Sequence, residues 1–237
     1  SVLTNRAFYI SYYDDDYIGR QNSEAECIAV FEALKENTSV KCIDFDKLFD
    51  GMYTKSSVLV AAEYVESSTT LQALYFGYQI SRQEGDTLSL LLRALSRNTS
   101  VTELITFNQS VRWAGVAFRE LLTRTQTLQK LEISGPGDEA FEEVQRAAIT
   151  SGFANNKSLR DLKFVDWRAA DLAPVLIALQ NHPRLQKIHL KYRPDYTDNI
   201  PSLSGLEVLL RSQHSKVKEL VLEKVDTHAV GLYAVLR

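Results

Sequence analysis

The sequence predicts an α/β solenoid: a right-handed stack of repeats in which each unit contributes one strand of a parallel sheet and one helix. Three observations predict it. An apolar triplet of the form Leu-x-x-Leu-x-Leu occurs seven times, with first positions 26 to 32 residues apart. A stretch with apolar residues at helical spacing precedes each triplet. In most units an apolar residue lies six positions before the triplet, which is the phase expected of a helix packed behind its own strand. One unit cannot bury its triplet alone, so neighbouring units must stack.

Each triplet is interpreted as a strand whose apolar residues face the helices, because alternate side chains of a strand point to opposite sides. The seven triplets are Val40/Ile43/Phe45, Leu71/Leu74/Phe76, Val101/Leu104/Thr106, Leu128/Leu131/Ile133, Leu159/Leu162/Phe164, Leu185/Ile188/Leu190 and Val217/Leu220/Leu222. Helices are expected over residues 24–36, 57–65, 88–95, 116–122, 141–153, 172–179 and 203–210.

The clearest unit resembles the leucine-rich repeat in its longer, helix-containing, ribonuclease-inhibitor-like form. It runs Arg-Trp-Ala-Gly-Val-Ala-Phe-Arg-Glu-Leu-Leu over residues 112–122, then Thr-Leu-Gln-Lys-Leu-Glu-Ile over residues 127–133. The resemblance covers residues 25–237. It implies a horseshoe of about seven to eight repeats, with the parallel sheet on the concave face and the helices on the convex face.

The chain departs from that family at the turn after each strand. The family places Asn or Cys three residues after its third apolar position. Here that position holds Leu48, Gln79, Gln109, Pro136, Trp167, Arg193 and Val225. We therefore expect these turns to be built differently.

Residues 1–237 are interpreted as one repeat domain, because a solenoid is not limited by a single round core. Residues 1–24 are expected to form an irregular N-terminal or capping segment, and residues 25–237 are expected to contain the repeats. The last residues look like an unfinished helix with no polar cap, which predicts that the chain is a piece of a longer protein.

Composition argues against several classes of partner. The net charge of −3 gives no electrostatic reason to expect nucleic acid. No apolar run approaches the roughly 18 residues of a membrane helix, and no signal peptide is apparent. Two cysteines, Cys27 and Cys42, make no disulfide framework, so a cytoplasmic or otherwise intracellular location is expected.

Asn-x-Ser/Thr sequences are interpreted as turn residues more readily than as glycosylation acceptors. Four occur, at Asn37, Asn98, Asn108 and Asn156. Three of them lie three residues before a strand, where Asn is expected for its tolerance of the left-handed conformation that ends a helix.

No motif predicts catalysis, a cofactor or a metal. The histidines (His182, His189, His214 and His228) belong to no zinc-binding pattern. The glycine-rich turn that begins at Gly135 lacks the Lys-Ser/Thr of a phosphate-binding loop. The run Asp14-Asp15-Asp16 lacks the spaced oxygens of a calcium loop and is read as solvated. The chain is therefore expected not to be an enzyme.

The strand residues that point away from the helices are the expected binding surface. They are Cys42/Asp44/Asp46, Ala73/Tyr75/Gly77, Glu103/Ile105/Phe107, Lys130/Glu132/Ser134, Asp161/Lys163/Val165, Lys187/His189/Lys191 and Glu219/Val221/Glu223. Three features are predicted on this surface. Tyr75, Ile105 and Phe107 make an apolar patch. Lys163, Lys187, His189 and Lys191 make a cationic patch, for which solubility is the alternative explanation. Asp44 and Asp46 mark an acidic end.

Strand three allows a second register. A slip of one residue would bury Ile105 and Phe107 in place of Thr106 and abolish the apolar patch.

These features favour a non-catalytic module that binds a protein or peptide through its concave face. Two alternatives remain open. One is a regulatory component of an enzyme system, such as a ubiquitin-ligase substrate receptor or a GTPase activator. A GTPase activator would need an exposed arginine or asparagine that completes its partner's active site, and Arg112 and Arg193 are candidates for that role. The other is a structural subunit that joins an assembly through its edges or its helices. The irregular segment 192–201, with two tyrosines and Arg193, is either a contact loop or a tolerated insertion.

Overall fold

In the part of the chain that the structure describes, seven parallel strands form one open sheet, and seven α-helices alternate with them along the sequence. The computed structural model describes residues 23–45, 54–77, 86–134, 141–191 and 204–223. The helices are α1 (Glu24–Lys35), α2 (Lys55–Ser67), α3 (Asp86–Arg97), α4 (Asn108–Arg124), α5 (Glu143–Asn155), α6 (Ala169–Ala178) and α7 (Ser204–Arg211). The strands are β1 (Cys42–Asp44), β2 (Ala73–Tyr75), β3 (Glu103–Phe107), β4 (Lys130–Ser134), β5 (Asp161–Val165), β6 (Lys187–Lys191) and β7 (Glu219–Glu223). The predicted α/β repeat is confirmed at this level, with every expected strand and helix present.

The strands pair in chain order, each one parallel to the next. The middle residues of the seven triplets are register partners across the whole sheet: Ile43, Leu74, Leu104, Leu131, Leu162, Ile188 and Leu220. Each helix packs against the helix of the next unit. Equivalent residues of successive repeats therefore lie side by side.

The core lies between the sheet and the helices. The third residues of the triplets from Phe45 to Leu190 are at most 1% exposed, and all of them except Thr106 join one buried hydrophobic cluster with the helix residues. Aromatic rings continue it from repeat to repeat, as where Phe45 meets Phe76 edge-on at 5.2 Å between ring centres. The last described unit packs more loosely, since all three residues of its triplet, Val217, Leu220 and Leu222, are only partly buried.

Strand β3 keeps the register of the other strands. Thr106 is fully buried, and Ile105 and Phe107 lie half-buried on the opposite face. The Thr106 hydroxyl is 2.6 Å from the hydroxyl of Ser110 in the following helix, so a polar residue can occupy a core position without an unsatisfied group. The slipped register is therefore excluded.

A row of short polar side chains, which we call the turn ladder, precedes the strands. Each member accepts a hydrogen bond from the backbone N–H three residues later, the N–H of the first apolar residue of the triplet. Its six members are Asn37, Ser68, Asn98, Thr125, Asn156 and His182, with distances from 2.7 to 3.2 Å. Each side-chain acceptor thus pairs a backbone N–H of the turn that leads into the strand.

The turn ladder also joins neighbouring repeats. The Asn98 amide donates to the backbone carbonyl of Val65 at 2.6 Å, and the Asn156 amide donates to that of Leu122 at 2.6 Å. Nε2 of His182 lies 3.1 Å from Oδ1 of Asn156. Nδ1 of the same ring accepts the N–H of Leu185, so His182 is the Nε2-protonated tautomer and donates to Asn156.

The expectation that these asparagines adopt a left-handed conformation was wrong. Asn156 is extended, with φ −68° and ψ 142°, and Asp166 is the only non-glycine residue with positive φ in the described ranges. Asn is used here for its side-chain oxygen. Since Asn98 and Asn156 are buried and donate their amides, these two positions cannot accept a glycan in the folded chain.

The turn after β5 shows how the chain replaces the Asn or Cys of the leucine-rich-repeat pattern. Trp167 is buried there and its indole N–H donates to the carbonyl of Ile133 on the neighbouring repeat at 3.2 Å. Its ring packs edge-on against Phe141 and Phe164. After β3, helix α4 begins directly at Asn108. The remaining positions of this set lie outside the described residues.

A close helix contact gives one test of the packing. A Cβ at Gly205 would lie 2.5 Å from the backbone oxygen of Ala173 and 2.8 Å from its Cα. Backbone cannot yield as a side chain can, so Gly205→Ala should force α6 and α7 apart and lower the free energy of unfolding by about 2 kcal/mol. The matched control is Gly115→Ala, whose new methyl would meet only the Cβ of Ala148 at 3.9 Å; it should be neutral or stabilising by about 0.5 kcal/mol. Urea unfolding measures the change in the free energy of unfolding for both variants. Equal changes would contradict the close approach of α6 and α7 at Gly205.

The buried histidine of the turn ladder predicts a pH dependence of stability. Burial lowers the pKa of His182 from 6.5 to about 4, so the unfolded chain takes up a proton at a higher pH than the folded chain. The contribution of His182 should be fully present above pH 6.5 and be lost as the pH falls towards 4. We expect a loss of about 2 kcal/mol, allowing for solvent screening near the surface.

Asn is the ladder residue of two other buried turns, so His182→Asn should fold and lose this part of the pH dependence. His214→Asn, at an exposed position, serves as the control. Urea unfolding across this pH range decides the point: parallel curves for the wild type and His182→Asn would refute the assignment.

Candidate functional site

The outer face of the sheet, which points away from the helices, is the candidate functional site. Its side chains are the alternate strand residues from Cys42 to Glu223. They are half-buried except for the more exposed Lys130 and Glu219. The inner residues of the same strands are almost all fully buried. A parallel sheet with one open face is unusual, because such sheets normally carry helices on both faces.

The predicted apolar patch is assembled by the register. Tyr75 and Ile105 are cross-strand partners, and Phe107 follows Ile105 on the same face. All three are half-buried, so only part of each side chain is available for contact with a partner. Ala73 completes it on β2.

The most exposed large apolar residues lie on the helix side of the molecule. Within the described ranges, all seven that are at least 40% exposed belong to helices: Val30, Leu59, Trp113, Val116, Val144, Ile177 and Val208. Trp113 and Val116 lie in α4, where the helix is kinked at Ala114. This distribution favours the alternative in which the chain is a structural subunit that contacts its assembly through the helices.

The residues of the predicted cationic patch all have carboxylate neighbours. Nζ of Lys163 is 3.0 Å from Oε2 of Glu132 on β4. Nζ of Lys187 is 2.8 Å from Oε1 of Glu219 on β7. This part of the face is therefore a lattice of opposite charges, and the isolated positive potential expected from the sequence is largely neutralised.

Glu223 collects the other two residues of that patch. It lies 3.2 Å from Nζ of Lys191 and 3.0 Å from Nε2 of His189. The His189 contact does not meet the geometry of a hydrogen bond, and it is an ion pair only when the ring is protonated. Donation by Lys191 is the main cause that lowers the pKa of Glu223, with further contributions from the charges of Lys191, His189 and Lys163.

Charges alternate in sign along one row of the outer face. The row crosses β3 to β7 through Glu103, Lys130, Asp161, Lys187 and Glu219, which are register partners. Opposite charges on directly paired strand residues attract, whereas like charges repel. The signal is present in the sequence, since equivalent positions of successive repeats have opposite charges, although this row is not among the features predicted above.

The β1 end of the outer face carries the carboxylate of Asp44 and the half-buried thiol of Cys42. Burial raises the pKa of Cys42 to about 11, and the carboxylates of Asp44 and Glu103 contribute to the rise. Burial also raises the pKa of Cys27. Both thiols are therefore protonated at neutral pH and poor nucleophiles. Asp46, the other residue of the predicted acidic end, lies outside the described residues.

The described ranges hold no cluster of three or more His, Cys, Asp or Glu residues that could bind a metal. No helix in them is long and apolar enough to cross a bilayer. Arg112, a candidate residue for the GTPase-activator alternative, lies in α4 with its guanidinium carbon 5.8 Å from the ring centre of Trp113. Four other features singled out from the sequence lie outside the described residues: Arg193, segment 192–201, the turn that begins at Gly135 and the run that begins at Asp14. Gly77, the last described outer-face residue after β2, is half-buried.

No protein-family model matches the chain, and comparison with the curated proteins finds no significant match.

The charge lattice makes a testable contribution to stability. Lys163→Glu alone would place two carboxylates side by side on β4 and β5 and should lower the free energy of unfolding by about 1 kcal/mol. The exchanged pair Lys163→Glu with Glu132→Lys restores the attraction and should recover most of that loss. Urea unfolding at low and high salt measures the difference, which should shrink at high salt. If the exchanged pair is no better than Lys163→Glu alone, the lattice does not act as a set of ion pairs.

Proposed function

We propose that this chain is a non-catalytic protein-interaction module, a right-handed solenoid of the leucine-rich-repeat, ribonuclease-inhibitor-like type that binds a protein partner through the outer, concave face of its sheet. The observation that carries the proposal is the open face of the sheet, where alternate residues of seven in-register strands are accessible. A face of this kind is the side of a sheet that a partner can still cover.

The composition of the outer face supports protein binding. The half-buried patch of Tyr75, Ile105 and Phe107 offers the aromatic and aliphatic contacts that anchor protein interfaces. The charge lattice beside it offers a fixed pattern of both signs, which favours discrimination between partners over raw affinity. The protonated Cys27 and Cys42 thiols are compatible with the proposed intracellular location.

A second candidate function is a structural subunit that makes its contacts through the helix layer. It is favoured by the exposed apolar side chains there, above all Val144 at 74% and Val116 at 57% exposure. Single exposed apolar residues are common on soluble proteins. Their presence on the helices is therefore not enough to prefer the helix layer over the outer face as the binding surface.

The two candidates are separated by crosslinking mass spectrometry on protein incubated in lysate of its source cells. The outer-face variant is Tyr75→Ser with Phe107→Ser, and the matched helix-side variant is Val116→Ser with Val144→Ser. Circular dichroism establishes that each is folded. We expect crosslinks to outer-face lysines, and loss of the partner with the outer-face variant alone. Loss with the helix-side variant alone would transfer the function to the helices.

The exchanged pair Lys163→Glu with Glu132→Lys adds a test of charge recognition. It should retain the fold, because the ion pair is preserved with reversed direction. A partner that reads the charge pattern should bind about tenfold more weakly. Unchanged capture would mean that the lattice serves stability and solubility only.

A further inference from the structure

Each strand is preceded by four residues that lead into it, which we call its entry turn. Because the strands are parallel and pair in chain order, the entry turns lie side by side along one rim of the sheet. No entry turn contains Asp or Glu. The seven entry turns are residues 38–41, 69–72, 99–102, 126–129, 157–160, 183–186 and 215–218.

Positive charge is concentrated at one end of this rim. The entry turns of β1 to β4 contain a single cation, Lys41, among Ser, Thr, Gln, Val and Leu. The entry turns of β5 to β7 contain five cations, all of them exposed, which we call the basic rim: Lys157, Arg160, Arg184, Lys216 and Lys218. The fold does not require this concentration, because the first four repeats form their entry turns with one cation among them.

The backbone holds the basic rim in a fixed arrangement. The N–H of Gln186 donates to the carbonyl of Arg160 at 2.8 Å, and the N–H of Lys218 donates to the carbonyl of Gln186 at 2.8 Å. Arg160 and Lys218 are therefore two strand spacings, or about 10 Å, apart along the rim. Between them, the N–H of Arg184 donates to Nδ1 of His182 in the turn ladder at 3.3 Å. A ligand would therefore contact cations that are carried by an ordered backbone.

The charges of the basic rim are not neutralised by the residues that the structure describes. None of the five side chains forms an ion pair or a hydrogen bond with a described residue. The carboxylates that follow in the chain, Asp161 and Glu219, are both register partners of Lys187 on the outer face. The hydrogen bond to Glu219 raises the pKa of Lys187, and the charges of Glu219 and Asp161 add to the rise. These two carboxylates therefore act on the outer face.

The helices behind these entry turns add little counter-charge. Residues 147–156 of α5 and its C-terminal end contain no Asp or Glu, and neither do residues 172–183, which cover most of α6 and the turn after it. In α7, Glu207 pairs with Arg211 of the same helix at 3.0 Å. The positive charge of the rim therefore has no acidic residue from these helices directed towards it.

The outer face of the same repeats shows a different use of charge. Each lysine on β5 and β6 has a carboxylate on an adjacent strand. The same repeats thus pair their lysines on the face and leave five cations unpaired on the rim, within the described ranges. Like charges that lie together repel one another. Their concentration favours a role in attracting a negatively charged ligand.

We propose that the basic rim binds an acidic segment of a protein, an extended stretch that carries several Asp or Glu side chains and crosses the entry turns of β5 to β7. This inference goes beyond the proposed function and does not depend on it, since the rim lies beside the outer face. Carboxylates suit the rim because arginine can hold a carboxylate through two parallel hydrogen bonds. Lysine adds a charge on a flexible stem, which tolerates variation in where the carboxylates lie.

The extent of the basic rim favours an acidic protein segment over nucleic acid. Three strands span about 10 Å, whereas a nucleic-acid-binding protein commonly neutralises about six to ten phosphates with a basic domain. This chain has a net charge of −3. A long polyanion would therefore gain little attraction beyond the three entry turns.

The test measures the binding of three fluorescent probes to the whole chain by anisotropy, at low salt and at about 0.15 M ionic strength. The first probe is an alternating Glu-Ser peptide of about eight residues, which in extended form is long enough to cross three strands. The others are a Lys-Ser peptide and an oligothymidylate of the same number of units. We expect the Glu-Ser peptide to bind most tightly, and its affinity to fall as the salt concentration rises.

The rim variant combines Arg160→Gln, Arg184→Gln and Lys218→Gln. It should weaken binding of the Glu-Ser peptide about tenfold or more, because each substitution removes one exposed ion pair with the peptide. The salt dependence of the Kd should fall with it, since fewer charges then take part. Glutamine keeps a long polar side chain at each exposed position, so the fold should be retained, which circular dichroism checks.

The matched control combines Lys41→Gln, Lys55→Gln and Arg119→Gln. It removes the same amount of charge from exposed positions outside the basic rim, one of them at the β1 end of the same rim. The Kd of the Glu-Ser peptide should change less than about twofold. The variants of the crosslinking experiment retain all five cations and should bind the peptide as the wild type does.

Three results would overturn the inference: equal weakening in the rim variant and the control, tighter binding of the oligothymidylate than of the Glu-Ser peptide, or equal binding of the Glu-Ser and Lys-Ser peptides. Urea unfolding adds a fourth. If the rim variant lowers the free energy of unfolding and leaves peptide binding unchanged, the cations serve to stabilise the helix C-termini and the rim is not a binding site.

Discussion

In-register pairing of the parallel strands is the constraint on which the rest of the molecule depends. Because strand side chains alternate, the row from Ile43 to Leu220 determines at once which residues of every repeat are buried. It also stacks equivalent residues of successive units, so the core and the outer face are both built by repetition. A slip in one strand would cost that repeat its core contacts on both sides. The fully buried Thr106, supported by Ser110, shows that register prevails even where the local sequence favours a different residue inside.

The turn ladder supports this register at the entrance to strands β1 to β6. A short side-chain acceptor holds the backbone that leads into the triplet, and at Asn98 and Asn156 the same side chain reaches back to the preceding repeat. The ladder thus combines a local function, ending the helix, with a long-range one, spacing the repeats. His182 performs the same two functions with a ring, using one nitrogen as acceptor and the other as donor. Titration of that ring therefore affects the boundary between two repeats as well as one turn.

Much of the fold could be predicted from the sequence because its signals are local and periodic. The triplets locate the strands, the helical spacing locates the helices, and the alternation assigns Tyr75 and Lys163 to the outer face. The chemistry of that face was less accessible. Whether Lys163 is a free cation or the partner of Glu132 depends on which residues the register places side by side. The half-burial of Ile105 depends on the side chains of both neighbouring strands. The turn ladder was misread because Asn, Ser, Thr and His share an acceptor atom there, whereas conformational preference suggested a left-handed residue.

The charge lattice allows the charge pattern of the outer face to change while the fold is kept. Because each lysine on β5 and β6 has its counter-ion on an adjacent strand, a pair can be exchanged between the two strands with little loss of folding free energy. The buried row on the other side of the same strands has no comparable freedom, since each residue there fills a shape set by its neighbours. The two faces of the sheet are therefore under different physical constraints: the charge pattern of the outer face can vary while the packing of the inner face stays fixed.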